Sequence, residues 1–296
     1  MLSGVVLIAL AAISWGTTGS VTTVLVARAG ADPFLIGVSR LWIAAVLLVP
    51  AARALAGPIR LAPMDRWRCV AMGGCMAGYQ AAYFTAVTMA GITVAALVAI
   101  CSAPLMIAAL ATIFLDERVS ARLATALMLG VTGTILLVAA PGTIAAPSGH
   151  FAAGVVLALC AGAAYALYAV IAKASLATAA PLPLAAVTFT VAAVLLTPVM
   201  FWSTAPSEQL AAGWLWLLYL GAITTAGAYA LYTIGLKSVP ASVAGVITLL
   251  EPLTATSLGV LIFGERLGIA GTLGALLMFS ALAVLLITRR GVKRAV

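Results

Sequence analysis

LLEPLTATSLGVLIFGERLG, residues 249–268, is an apolar run in which Glu251 stands beside Pro252 and which closes with Glu-Arg. A second stretch, ICSAPLMIAALATIFLDERVS at 100–120, has the same proline and the same Glu-Arg, but Ala103 stands where the first has Glu251. The two stretches coincide at a shift of 148 residues, half of the 296-residue chain. This correspondence predicts that the chain is built from two related halves.

The composition indicates a membrane protein. Hydrophobic residues make up 65% of the chain and charged residues 7%, whereas about 25% of the residues of a soluble domain are charged. Apolar runs of about 20 residues recur along the chain, as transmembrane helices require. These runs do not alternate between polar and apolar residues, as the strands of a membrane β-barrel would. The predicted fold class is therefore all-α, a polytopic membrane protein.

Ten transmembrane helices are predicted, with short loops between them. Pro33, Pro183 and Pro240 lie near predicted helix starts, where the missing N–H of proline costs little. The predicted spans are roughly residues 3–27, 33–55, 65–88, 92–115, 120–140, 150–177, 183–202, 208–237, 240–263 and 268–288.

The distribution of lysine and arginine predicts the orientation. An even number of spans places both termini on one side, and positive residues accumulate in cytoplasmic loops. If the termini are cytoplasmic, the inner loops and tail carry twelve Lys and Arg residues and the outer loops carry only Arg28 and Arg266. We therefore predict an inner-membrane protein with both termini in the cytoplasm. The net charge of +8 then reflects membrane topology, and no nucleic-acid partner is expected.

The internal repeat is predicted to be inverted. The predicted domains are residues 1–148 and residues 149–296, with five spans in each. An odd number of spans makes the second half enter the membrane from the opposite side. Transporters use such inverted repeats and place the substrate site near the middle of the membrane, between the halves. The two halves are expected to form a single transport domain.

The sequence resembles a known family of transporters. The features that carry the resemblance are the two Pro…Glu-Arg stretches, Trp15-Gly16 in AAISWGTTGS, and Arg40 inside the second span. They are similar to the EamA type of the drug/metabolite transporter superfamily, over essentially the whole chain. The resemblance implies ten helices, both termini on the cytoplasmic side, and export of small metabolites. Within the superfamily the chain is similar to YddG-like exporters of aromatic amino acids.

Aromatic and polar side chains within the spans are the candidate substrate site. Tyr pairs three or four residues apart fall on one face of a helix, and aromatic walls with few polar groups suit a ligand with an apolar body and a polar head. Interfacial belts or packing between helices are the alternative explanation for these tyrosines. The candidate residues are Trp15, Tyr79, Gln80, Tyr83, Ser102, Tyr165, Tyr168, Tyr229, Tyr232, Thr248 and Glu251.

The prolines and Glu251 raise separate hypotheses. Pro104 and Pro252 each remove a helical hydrogen bond and are predicted to bend the fourth and ninth spans as gating hinges. Glu251 lies near the predicted middle of a span, where a charge is costly. Its side chain can satisfy the Thr248 carbonyl freed by Pro252, hold a substrate ammonium group, or carry a proton. The sequence leaves these three roles open.

Other functional classes have less support. The sequence has one histidine and no Walker A or metal-ligand pattern, so no cofactor, metal or enzymatic activity is expected. A passive channel would need rings of like groups, which one inverted repeat does not obviously supply. The expected partners are a small-molecule substrate and the lipid bilayer. Amino acids are the favoured cargo, lipophilic cations and nucleotide sugars are the alternatives, and a monomer is compatible with the pattern.

Overall fold

The computed structural model describes residues 2–138, 149–202, 206–264 and 268–287, which contain helices and no strand. Glu265, Arg266 and the basic residues from 289 onward lie outside these ranges. The α-helices in the described residues are α1 Leu2–Gly16, α2 Thr18–Ala29, α3 Pro33–Ala56, α4 Pro63–Ala90, α5 Ile92–Phe114, α6 Ala121–Val138, α7 Phe151–Ser175, α8 Pro181–Leu196, α9 Pro206–Gly221, α10 Ala228–Ser238, α11 Ala241–Ile247, α12 Leu250–Phe263 and α13 Ile269–Ile287. The predicted all-helical class is confirmed.

Eight helical segments in the described residues are long and apolar enough to cross a membrane. A shorter apolar helix, Ile269–Leu285, follows them. The predicted span at 65–88 lies within α4, whose first turns carry Asp65, Arg66 and Arg68 and are therefore more polar. The membrane-spanning architecture is thus supported, and a count of ten crossings stays a prediction.

Proline and a capping aspartate explain where several helices begin. Asp32 precedes α3, and its side chain accepts hydrogen bonds from the N–H groups of Phe34 at 2.7 Å and Leu35 at 3.4 Å. Pro33 occupies the first helical position, where no N–H is needed. Pro240 is the residue directly before α11. These starts agree with the sequence-based boundaries.

Several spans predicted as single helices are interrupted. The first divides at Thr17, whose hydroxyl donates to Ser14 O at 2.7 Å and so competes with the helical bonds. The seventh ends in a 3₁₀ helix, Thr197–Trp202. The eighth contains a π-helix, Ala222–Gly227, between α9 and α10. The ninth divides between α11 and α12 at Thr248 and Leu249.

The packing between helices has the pattern that an inverted repeat predicts. Helix α1 packs on α10 and α12, and its counterpart α7 packs on α4 and α5. Equivalent small residues make the first of these contacts: a side-chain carbon on Gly4 would meet Ser238, and one on Gly154 would meet Ala90. Such residues let membrane helices approach closely. The division at residues 148 and 149 nevertheless stays a prediction.

Candidate functional site

Aromatic rings from six helices form one connected cluster inside the bundle. Trp15 of α1 lies within it, with its ring centroid 6.3 Å from Tyr165, 4.8 Å from Tyr229 and 5.4 Å from Tyr232. Trp15 and Tyr165 are equivalent positions in the two halves, so their contact places the centre of the cluster between the repeats. The predicted site tyrosines therefore come together, although the three Tyr pairs lie on three different helices.

The cluster has an exposed side and a packed side. Tyr79 and Tyr83 of α4 are stacked at 5.9 Å, and both are partly exposed. Tyr168 and Tyr232, by contrast, are almost completely buried. Phe189 of α8, which the sequence did not single out, packs against Tyr229 at 4.5 Å. The stacked α4 pair is thus the accessible surface, and the buried rings support it.

Among the described residues, three buried polar atoms of the cluster have no hydrogen bond of good geometry. They are Trp15 Nε1 and the hydroxyl oxygens of Tyr165 and Tyr232, of which the two hydroxyls are close enough to interact with each other. A buried polar group without a partner is costly, and such groups in native structures are commonly satisfied by water or ligand. The cluster therefore has unused hydrogen-bonding capacity where the two halves meet.

Glu251 points from the start of α12 toward this cluster. Its carboxyl group lies within electrostatic range of Arg40 and of Tyr79, Tyr83 and Tyr165, which belong to three other helices. The side chain therefore faces the interior of the bundle and not the lipid. Glu251 is also partly exposed, so the space that it faces is internal and accessible.

The helix break beside Glu251 is repaired by the backbone. The sequence predicted that Pro252 would leave Thr248 O unbonded and that the Glu251 side chain could satisfy it. Instead the backbone N–H of Glu251 donates to Thr248 O at 2.9 Å, in a tighter turn than the α-helix. The Thr248 carbonyl therefore has a partner without the carboxyl group of Glu251, and the role of that side chain stays a prediction.

Arg40 is a positively charged residue that faces the same internal space as Glu251. It lies on α3 and is partly exposed. Its Nε donates to Thr225 Oγ1 at 2.9 Å, and that hydroxyl in turn donates to Leu220 O at 2.8 Å. The second bond spans five residues and belongs to the π-helix, so the irregular helix presents Thr225 to Arg40. Arg40 and Glu251 interact electrostatically but form no direct ion pair among the described side chains.

Three other predicted site residues lie away from the accessible part of the cluster. Gln80 is buried, with its amide nitrogen against Gly37 of α3. Ser102 donates to Ala99 O at 3.3 Å within its own helix, at the contact with Gly162 of α7. Thr248 is buried and donates to Gly245 O at 2.8 Å. Their local bonds and packing favour structural roles.

The two predicted hinge prolines differ. Helix α5 continues through Pro104, and the predicted bend of the fourth span stays a prediction. The ninth span is divided four residues before Pro252, as the loss of its helical hydrogen bond requires. A proline inside a helix does not always interrupt it, because neighbouring groups can satisfy the freed carbonyl. Of the two proline-containing spans, only the one that also carries Glu251 is interrupted.

Comparison with known proteins agrees with the repeated architecture. The EamA-like transporter family matches the chain twice, over residues 2–139 and over residues 152–287. The chain belongs to the EamA-like transporter family. It is a membrane transport protein and not an enzyme.

One relative of this EamA-like transporter matches nearly its whole length, and another matches just over half of it. The chain is 36% identical to the uncharacterized transporter YwfM of Bacillus subtilis (strain 168) over 286 residues, 93% of this chain and 91% of YwfM. An uncharacterized transporter of Archaeoglobus fulgidus is 26% identical over 172 residues, 57% of this chain and 58% of that protein. A solved structure titled "Crystal structure of protein" has a TM-score of 0.82 at 22% identity and covers 98% of both chains, which shows a shared fold.

Sequence reasoning missed part of the site of this EamA-like transporter. Arg40 was noted only as a feature of the family, and Thr225 was not singled out. The signal for Arg40 was present, because a charged residue inside a membrane span is a functional candidate by default. The π-helix that presents Thr225 has no such sequence signal.

Proposed function

We propose that this EamA-like transporter exports small zwitterionic metabolites, most naturally amino acids with a bulky apolar or aromatic side chain. The single observation that carries the proposal is the pair formed by Arg40 and Glu251. Two opposite charges face the same internal space, both are partly exposed, and they do not neutralise each other by direct contact.

Charge complementarity leads from this pair to an amino acid. A guanidinium group binds a carboxylate through paired hydrogen bonds, and a carboxylate accepts hydrogen bonds from an ammonium group. A zwitterion placed between Arg40 and Glu251 would satisfy both charges at once. The stacked rings of Tyr79 and Tyr83 lie beside Glu251 and supply an apolar surface for the side chain of the substrate.

Alternating access is the mechanism that the repeat supports. Halves 1–148 and 149–296 would rock about a pseudo-twofold axis near Trp15 and Tyr165, which alternately opens the site to each side. In this arrangement the chain crosses the inner membrane ten times with both termini in the cytoplasm. The twelve-to-two distribution of Lys and Arg supports that orientation.

The proposal is tested with purified protein in liposomes and three labelled compounds of the same shape. Phenylalanine carries both charges, phenethylamine only the ammonium group, and phenylpropionate only the carboxylate. Exchange of phenylalanine, with little exchange of the other two, is the expected result. Equal exchange of phenethylamine would instead indicate a transporter of lipophilic cations and would overturn the zwitterion proposal.

A passive facilitator is the second candidate mechanism, and a concentration gradient separates it from a carrier. Liposomes loaded with unlabelled substrate are diluted into a trace of labelled substrate. A carrier that alternates between two states accumulates the label transiently above its external concentration. A channel only equilibrates it, so the absence of an overshoot would contradict alternating access.

A further inference from the structure

Two adjoining cavities lie at one end of the bundle, away from the aromatic cluster. The first has a volume of about 300 Å³ and a mixed lining, in which Arg118, Ser120 and Arg122 are among the polar and charged residues. The second has a volume of about 400 Å³, and the described residues that line it are all apolar. Val243 and Leu285 belong to the walls of both, so the two cavities share a boundary.

The polar cavity has an excess of positive charge. Arg118 and Arg122 both line it, and neither forms an ion pair among the described side chains. Among the described residues, Glu117 is the one acidic residue in the lining, and its carboxylate is occupied by α11. It accepts hydrogen bonds from the N–H groups of Ala241 at 2.6 Å and Ser242 at 3.0 Å. The cavity thus has two cations that are available to an anion.

The apolar cavity is a crevice between α1, the α11–α12 break and α13. Val5, Ile247, Leu250 and Phe279 are part of its wall. Phe279 is 58% exposed on the apolar surface of a membrane helix, which faces acyl chains in a bilayer. A lipid tail therefore has a direct route into the crevice.

We infer that these cavities together bind one anionic phospholipid, with its phosphate between Arg118 and Arg122 and an acyl chain in the crevice. Basic pockets near the ends of membrane helices attract anionic lipid headgroups. The apolar surface of the crevice is continuous with the headgroup pocket. A free anion would not use that apolar surface, whereas a lipid would. Ile247 and Leu250 flank the interrupted segment of the ninth span, so the bound tail packs beside that break.

The test measures lipid retention by native mass spectrometry of the purified full-length protein. The protein in detergent is titrated with phosphatidylglycerol or with phosphatidylcholine of the same acyl chains. Phosphatidylglycerol is expected to be retained preferentially. Charge removal in Arg118→Gln/Arg122→Gln should weaken its retention by about thirtyfold, because each basic residue near a membrane surface contributes about fivefold.

The matched control is Arg53→Gln/Arg60→Gln, which removes two exposed arginines from another part of the chain. It should retain phosphatidylglycerol like the parent protein. Ala283→Phe, which fills the crevice, should weaken retention without any change of charge. If the double arginine variant does not fold, Arg122→Gln and Ala283→Phe test the headgroup and tail separately.

Four outcomes would overturn the inference. Equal retention of the two lipids would show that the arginines do not select an anionic headgroup. An equal loss of retention in the control variant would show that only the overall charge of the protein matters. Normal retention by Ala283→Phe would mean that no tail enters the crevice. Displacement of phosphatidylglycerol by millimolar inorganic phosphate would assign the polar cavity to a free anion instead.

Discussion

The carboxyl group of Glu251 is not required to satisfy Thr248 O at the helix break, because that carbonyl already accepts a hydrogen bond from the backbone N–H of Glu251. In the proposed site its carboxylate binds the substrate ammonium group. Glu251→Gln keeps the size of the side chain but loses the charge, and a hydrogen bond to a charged group contributes about 1.5–3 kcal/mol. Substrate affinity in liposome exchange should therefore fall roughly tenfold to hundredfold. Unchanged affinity, in a variant that elutes as the parent does, would rule out the ammonium contact.

Thr225 provides a second test at this scale, because it orients Arg40 without being proposed to touch substrate. Thr225→Val has nearly the same shape but no hydroxyl to accept from Arg40 Nε. We expect affinity for phenylalanine to fall by up to about tenfold, with phenethylamine unaffected, since only carboxylate binding depends on Arg40. Thr225→Ser retains the acceptor and should behave like the parent. An equal loss in both variants would indicate a packing defect instead.

Individual residues also show where sequence-based prediction ends. Glu251 was identifiable because a carboxylate is rare inside an apolar run, and the tyrosines because their spacing marks one helix face. Gln80 has the same polar character, but tertiary packing turns it toward Gly37. Whether a polar side chain reaches the internal space depends on the rotation of its helix against its neighbours, which no local pattern encodes.

At the scale of the helix, the division of the ninth span is the feature that can act as a hinge. Pro252→Ala allows a helical hydrogen bond to Thr248 O and should rejoin α11 and α12. Pro104→Ala changes α5, which is already continuous, and serves as the matched control. We expect Pro252→Ala to slow exchange several-fold and Pro104→Ala to have little effect. Equal slowing by the two changes would show that the interruption has no special role in transport.

The helical pattern itself was predictable to different degrees. Apolar length located the segments, and Asp32 and Pro33 fixed the start of α3. The π-helix at 222–227 and the division at Thr17 were not predicted, because each depends on a local hydrogen bond that competes with the regular helix. These irregular turns lie next to the candidate site, where the regular pattern of a span is least informative.

At the scale of the whole molecule, the packing of the helices agrees with the repeat found in the sequence. Contacts of α1 in one half recur as contacts of α7 in the other. The difference between halves was also visible, since Ala103 replaces Glu251 at the equivalent position. The contacts that join the halves at the ends of the bundle could not be predicted from the sequence, because they connect loops that are distant along the chain.

One such junction is built from charge-assisted hydrogen bonds at the turn between α10 and α11. Glu117 of the first half accepts from Ala241 N, Ser242 N and Ser242 Oγ. On the other side of the turn, Lys173 Nζ donates to Leu236 O and Val239 O, each at 2.8 Å. An anion at a helix N-terminus and a cation at a helix C-terminus are both stabilising. We therefore predict that the junction helps to hold this end of the bundle closed.

Weakening this junction should shift the balance between the two access states. Glu117→Gln retains an acceptor but removes the charge, whereas Glu117→Ala removes all three bonds. Hydrogen exchange at residues 238–242 should therefore accelerate modestly in the first variant and strongly in the second, because exchange follows local opening. The control is Asp116→Asn at the adjacent residue, because asparagine removes the charge and tolerates the positive φ of 54° found there. It should leave that exchange unchanged. If Glu117→Ala keeps parental protection there, these bonds do not hold the end of the bundle closed, and the barrier to opening lies in the packing of the helices.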